Sequence, residues 1–314
     1  MSTPRDQSQD IDIDAKVKAD RPFDILVKST QSPAREAIPA HSECLAKGSH
    51  VFQSMLELGS NETSSASENQ LPTVEVDERY EILVLLVNLL ESPPQLPPAT
   101  VTSYIPASAV PSTGDPPGTV LPWPLVTTLL DAADKYDFTN DILVLLHAHL
   151  QSHASSHPLP VYALTSRLGL SSIASHASSF LLHPPMHQYS VSEIKILPSA
   201  TSYHLLLILQ TRRLESLKKT LGNEMLFPHD YGACSKHGTA SAKSVWEARK
   251  EVALNHVDAS SSIADMMAYD EETKQQLKNC DECCLAWERA VEMMRYKAGK
   301  AIRETGQLPE FDLR

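Results

Sequence analysis

Between Phe23 and Leu56 the hydrophobic pattern changes from strand-like alternation to helical spacing, and this commits the chain to a mixed fold. Phe23, Ile25 and Val27 alternate with Asp24 and Leu26, which predicts a short strand buried on at least one face. A polar turn from Ser29 to Glu36, containing Pro33, leads to a second strand over Ala37 to Ala40. From Ser42 the spacing of Leu45, Ser49, Phe52 and Met55 or Leu56 predicts one helix, with Ser42 as its cap and Glu43 in its first turn.

The same reading continues along the chain. Gly59 to Gln70 is a polar loop, Leu71 to Val76 a third strand, and Asp77 opens a helix through Ile82, Leu85, Leu86, Leu89 and Leu90. That helix carries too many apolar residues for a single stripe, so much of it is buried. Proline then recurs from Pro93 to Pro124, which excludes regular helix and marks 91–124 as an inserted loop. Leu125 to Phe138 and Asp141 to Ser152 return to helical spacing and predict a helical hairpin. A second hairpin follows Pro158 and Pro160, with Gly169 between its arms, and Ser190 to Leu221 predicts at least one long helix.

Charge and length limit the function. A chain of 314 residues with 42% hydrophobic content has room for about two domains. Its net charge of -12 gives no footprint for nucleic acid and disfavours an anionic membrane surface. No apolar run is long enough to span a bilayer, and residues 1–20 read as a disordered acidic arm without a secretory segment, so a cytoplasmic or nuclear location is expected. Ser-rich stretches lack a nucleophile elbow and there is no phosphate-cradling glycine loop, so the expectation is a protein that is not an enzyme.

Five cysteines in such a chain point to reduced thiols or metal ligands. Cys234 with His237, and Cys280 with Cys283, each place two soft donors three positions apart. Together they would form a closed Cys3His site for a structural zinc, a cross-brace with no open position for substrate. Cys284 is the alternative fourth ligand, and unrelated reduced thiols are the competing explanation. The surrounding segments carry Val245, Trp246, Ala253 and Leu254, then Trp287, Val291, Met294 and Ala298, at amphipathic helical spacing. These faces are expected to be core. Trp287, Met293, Met294 and Tyr296 would otherwise line a partner groove.

The strand containing Asp24, then His41, Leu45, Ser49, Phe52 and Met55, then LPTVEV before a helix, and finally LLDAADKYDF, resembles the BTB/POZ domain in its fungal form. The likeness covers about 23–155. It departs at Pro39, inside an expected strand, and at 91–124, where the family has a short connection. The resemblance implies an α+β fold with a small sheet flanked by helical hairpins, placed at 21–155. An all-helical region would follow, as an extension at 156–222 and a C-terminal region at 223–314. It implies protein binding: a homodimer, a recruited partner, an adaptor for a cullin-type ubiquitin ligase or a transcriptional regulator. Asp24 and His41 are then expected to hold the fold. A metal-dependent or redox protein centred on the cysteine cluster is the second expectation.

Overall fold

The computed structural model describes residues 21–60, 71–98, 119–228, 234–236, 238–278 and 280–309. The chain divides into two compact units, Met1–Ser152 and His153–Arg314. The fold is mixed, with one small sheet and many helices.

In the first unit, strands β1 (Ile25–Ser29), β2 (Ile38–Ala40) and β3 (Thr73–Val76) form a sheet in the order β2-β1-β3. β1 pairs antiparallel with β2, Ile25 opposite Ala40, and parallel with β3, Val27 opposite Val74. Ile25 and Val27 are fully buried, as the alternation predicts. Pro39 lies opposite Leu26 on β2, an edge strand, where a residue without an N–H is tolerated. Helices α1 (Ser42–Gly48) and α2 (His50–Ser60) carry the chain from β2 towards β3, and α3 (Tyr80–Glu91), α4 (Trp123–Lys135) and α5 (Asn140–Ser152) follow. The acidic arm, and residues 99–118 of the proline-rich insertion, lie outside the described residues. Trp123 and Pro124, at the end of that insertion, form the first turn of α4, where a proline needs no amide partner.

Three details differ from the sequence expectation. The helix predicted from Ser42 is broken at Ser49, whose backbone is extended (φ -149°, ψ 126°) and bridges Phe138. Its hydroxyl donates to the Tyr136 carbonyl at 2.5 Å and accepts from the Phe52 amide at 3.2 Å, so one side chain ends the break and starts α2. Ser42 lies inside α1 and does not cap it. The position before it is His41, and the Ser42 amide and hydroxyl both donate to the Asp24 carboxylate at 2.7 Å. Asp77 does not open a helix either: it accepts from Thr30 and Gln31 at 3.2 and 3.1 Å, and α3 begins at Tyr80.

The second unit is helical: α6 (Pro158–Arg167), α7 (Ser171–Ser178), a short α8 (Val191–Ile194), α9 (Ala200–Asn223), α10 (Gly238–His256), α11 (Ile263–Met266), α12 (Glu271–Gln276) and α13 (Asp281–Gly299). Gly169 takes φ +72° in the turn between α6 and α7, a conformation open to glycine at little cost. The long helix expected within Ser190 to Leu221 is α9, which starts after Pro198 and the short α8, and Ser199 caps α9 by accepting the Ser202 amide at 3.1 Å. The boundary expected at residue 222 falls inside this unit, at the end of α9, whose Leu217 and Leu221 belong to the same core as α10 and α13.

At the centre of that core Trp246 and Trp287 meet edge to face, with ring centroids 4.7 Å apart. Both indole N–H groups find carbonyls, Trp246 on Glu224 at 3.3 Å and Trp287 on Met267 at 2.7 Å. Glu224 ties three helices together. Its carbonyl also accepts Lys250 at 3.0 Å, and its carboxylate pairs with Lys297 at 2.6 Å.

Candidate metal centre

The C-terminal helix positions two of the donors. Cys280 is the residue just before α13 and Cys283 lies in its first turn, so three positions of spacing put both thiols on one face. The third, Cys234, comes from the segment between α9 and α10. Its sulfur lies 3.4 Å from that of Cys280, and the sulfurs of Cys234, Cys280 and Cys283 are all within 4.8 Å of one another. A tetrahedral zinc with Zn–S bonds of about 2.3 Å needs sulfurs about 3.8 Å apart, so small shifts suffice to seat an ion.

All three thiols are buried. Burial, then the hydrogen bonds and charge of Cys234 and Cys280, pushes the Cys283 thiol far up. Three thiolates side by side therefore require a cation, which is what a divalent metal supplies. Donor and acceptor groups already surround the cluster. The Lys236 amide donates to the Cys234 sulfur at 3.3 Å. The Ser235 amide donates to Glu282 at 3.3 Å, and the hydrogen bond from Cys234, with that amide, holds the Glu282 carboxyl below its ordinary range.

The residues expected from sequence meet in part. Cys234, Cys280 and Cys283 come together; His237 lies outside the described residues. Cys284, the alternative ligand, points elsewhere, its thiol on Glu288 at 3.5 Å, and it is not part of the three-sulfur group. Of the aromatic and methionine residues on α13, Trp287 and Met294 are core, whereas Met293 and Tyr296 are exposed.

Tyr269 carries no signal in the sequence, standing alone between α11 and α12. Its ring packs against Trp287 at 5.9 Å, and its hydroxyl is shielded from water without a hydrogen-bond partner among the described residues. Burial, followed by the negative charge of Cys284, Cys283, Cys280 and Asp281, pushes this phenol up to about 12.

A second group, His41, Cys44 and Glu91, also brings possible ligand atoms together in the first unit. Its geometry is that of an ion pair. His41 Nδ1 meets Glu91 at 2.7 Å and Nε2 meets the Arg21 carbonyl at 3.1 Å, so both ring nitrogens face protein acceptors.

Among the described residues no helix is long and apolar enough to cross a membrane. No family model matches the chain, and no curated protein matches it.

Proposed function

We propose that the Met1–Ser152 unit is a BTB/POZ-type interaction domain that binds protein partners and performs no catalysis. The observation that carries this reading is the meeting of two distant motifs. Phe52, from the segment containing His41, Leu45 and Ser49, stacks on Tyr136, from LLDAADKYDF, with ring centroids 5.6 Å apart and planes within 10°. The Ser49 hydroxyl donates to the carbonyl of the same tyrosine. Leu45, Ser49 and Phe52 are each 0% exposed, so the residues of the resemblance are those that hold the core. The small sheet with α1–α2 and α4–α5 as helical pairs fits the architecture that the family would give.

Self-association, or recruitment of a partner such as a cullin, is the activity such a domain supplies. At the end of α2, Met55 and Leu56 are half-buried while Glu57 and Leu58 are exposed, which leaves an apolar and acidic surface for a contact. The test is light scattering of the full chain over a range of concentrations, with and without the N-terminal domain of a cullin. A dimer, or a stoichiometric complex, supports the reading. A monomer at every concentration that binds no cullin removes both of these activities.

The cysteine cluster favours a second reading for the other unit: Cys234, Cys280 and Cys283 hold a structural zinc, with His237 as the expected fourth ligand. The burial of all three sulfurs supports a closed brace over a redox or hydrolytic centre, which would need an accessible thiol or an open coordination position. When bound, the ion would supply the positive charge that lets three thiolates sit together. Elemental analysis of the purified protein decides: about one zinc per chain supports the brace, and none leaves ordinary thiols.

A further inference from the structure

A three-thiolate centre is electron-rich. Three negative sulfurs around a divalent ion leave a net negative charge if the fourth ligand is neutral, and Asp281 and Glu282 add to it from the first turn of α13. Such centres are held by outer donors that spread this charge. One is in place, the Lys236 amide on the Cys234 sulfur. Tyr269 packs on Trp287, one turn beyond Cys283 on α13, and its hydroxyl is shielded from water with no acceptor among the described residues. Buried donors almost always find a partner, and a thiol is a poor one whereas a thiolate is a strong one.

We propose that the Tyr269 hydroxyl is the outer donor of this metal centre, giving its O–H to a metal-bound sulfur once the cysteines are thiolates. Tyr269 is a positioning residue, not a ligand. It lies on the segment between α11 and α12, so its hydrogen bond would tie that segment to the start of α13, alongside the Trp287 indole N–H on Met267. This inference rests on the reading of Cys234, Cys280 and Cys283 as a metal site.

The experiment uses the full chain, wild type and Tyr269→Phe, with Tyr296→Phe as an exposed-tyrosine control. Zinc stoichiometry, competition against a chromophoric chelator, the charge-transfer band of the cobalt(II) form, and thermal melting with and without zinc are measured. The expected result is about one zinc in wild type and in both variants, with affinity about 10 to 100-fold weaker in Tyr269→Phe alone. The cobalt band of Tyr269→Phe should move to lower energy, because a thiolate that loses a hydrogen bond is a better electron donor. Melting should reverse in sign: without metal the variant is as stable as wild type or more so, having lost an unpaired donor, and with zinc it is less stable. A general packing role would lower both.

If wild type binds zinc and Tyr269→Phe binds it equally well with an unchanged cobalt band, the Tyr269 proposal fails and the metal site stands. Absence of any zinc or cobalt binding in wild type overturns both. Should Tyr269→Phe fail to fold, fluorine NMR of wild type containing 3-fluorotyrosine decides. One of the nine tyrosine signals shifting on zinc addition in the manner of a new O–H donor supports the proposal, and no such shift overturns it.

Discussion

His41 has an acceptor opposite each ring nitrogen, Glu91 on Nδ1 and the Arg21 carbonyl on Nε2, an arrangement that only the doubly protonated ring satisfies. The Glu91 hydrogen bond first, and the Arg21 carbonyl second, raise the imidazole above its ordinary 6.5 despite the opposing desolvation. A raised folded value stabilises the protein fully below the unfolded value, and that contribution is lost as the pH rises through the folded value. We therefore predict that the urea midpoint of the first unit falls between about pH 6 and 9, and that Glu91→Gln is destabilised at the lower pH and shows a flatter slope. The loss at low pH should be about 1.5–3 kcal/mol, since Glu91 also accepts the His41 amide. Asp24, whose burial is outweighed by the amide and hydroxyl of Ser42, is held below its ordinary range. Both residues were legible as fold-holding groups, and Asp24 was expected to bond the His41 region, but Glu91, the partner of His41, was not legible because it lies 50 positions away. Arg213 could not have been singled out at all. It is buried in α9 and donates to the carbonyls of Ala259, Ala301 and Ile302, and burial pushes it down to about 10. Arg213→Met should cost about 3–5 kcal/mol by leaving these carbonyls unpaired, with the denaturant midpoint as the measurement.

At the scale of elements, the strands and the hairpins of α4–α5 and α6–α7 follow from period and punctuation, whereas the break between α1 and α2 does not. A single extended residue leaves the buried face unchanged: Leu45, Ser49 and Phe52 remain buried on both sides of it, so helical spacing persists through a kink. What makes the break is tertiary, the carbonyl of Tyr136 accepting the Ser49 hydroxyl. Ser49→Ala should cost about 1–3 kcal/mol, because it strands the Tyr136 carbonyl and the Phe52 amide together. Gly48 shows the same constraint from the packing side. A Cβ there would lie 2.5 Å from Leu90 Cδ2 on α3, so the two helices approach over a missing side chain. Gly48→Ala is expected to destabilise by about 1–3 kcal/mol. Combining it with Leu90→Ala should cost less than the two changes added, and a double-mutant cycle on urea midpoints that returns strict additivity would refute the contact.

At the scale of the whole molecule, the resemblance places a boundary after residue 222, but Leu217 and Leu221 of α9 share one core with Trp246 of α10 and Trp287 of α13, so packing runs across it. Cys234 and Cys280 are 46 positions apart, and a metal joining them would close a long loop that is otherwise costly to hold. The CxxC of α13 was visible in the sequence, but its convergence with Cys234 depends on the packing of α10 against α13 through Trp246 and Trp287. A metal held by these cysteines would stabilise the same elements as the aromatic core, and its removal should then be felt there before elsewhere in the second unit. Hydrogen exchange of the full chain before and after chelation reads this directly. Amides of α10 and the first turns of α13 are expected to lose protection, while those of α7, which is tied through Ser175 and Ser178 to Gly306 and Thr305, keep theirs. Unchanged exchange in α10 and α13 of a protein shown to have lost its zinc would mean that the tryptophan pair alone holds this region and the metal braces nothing.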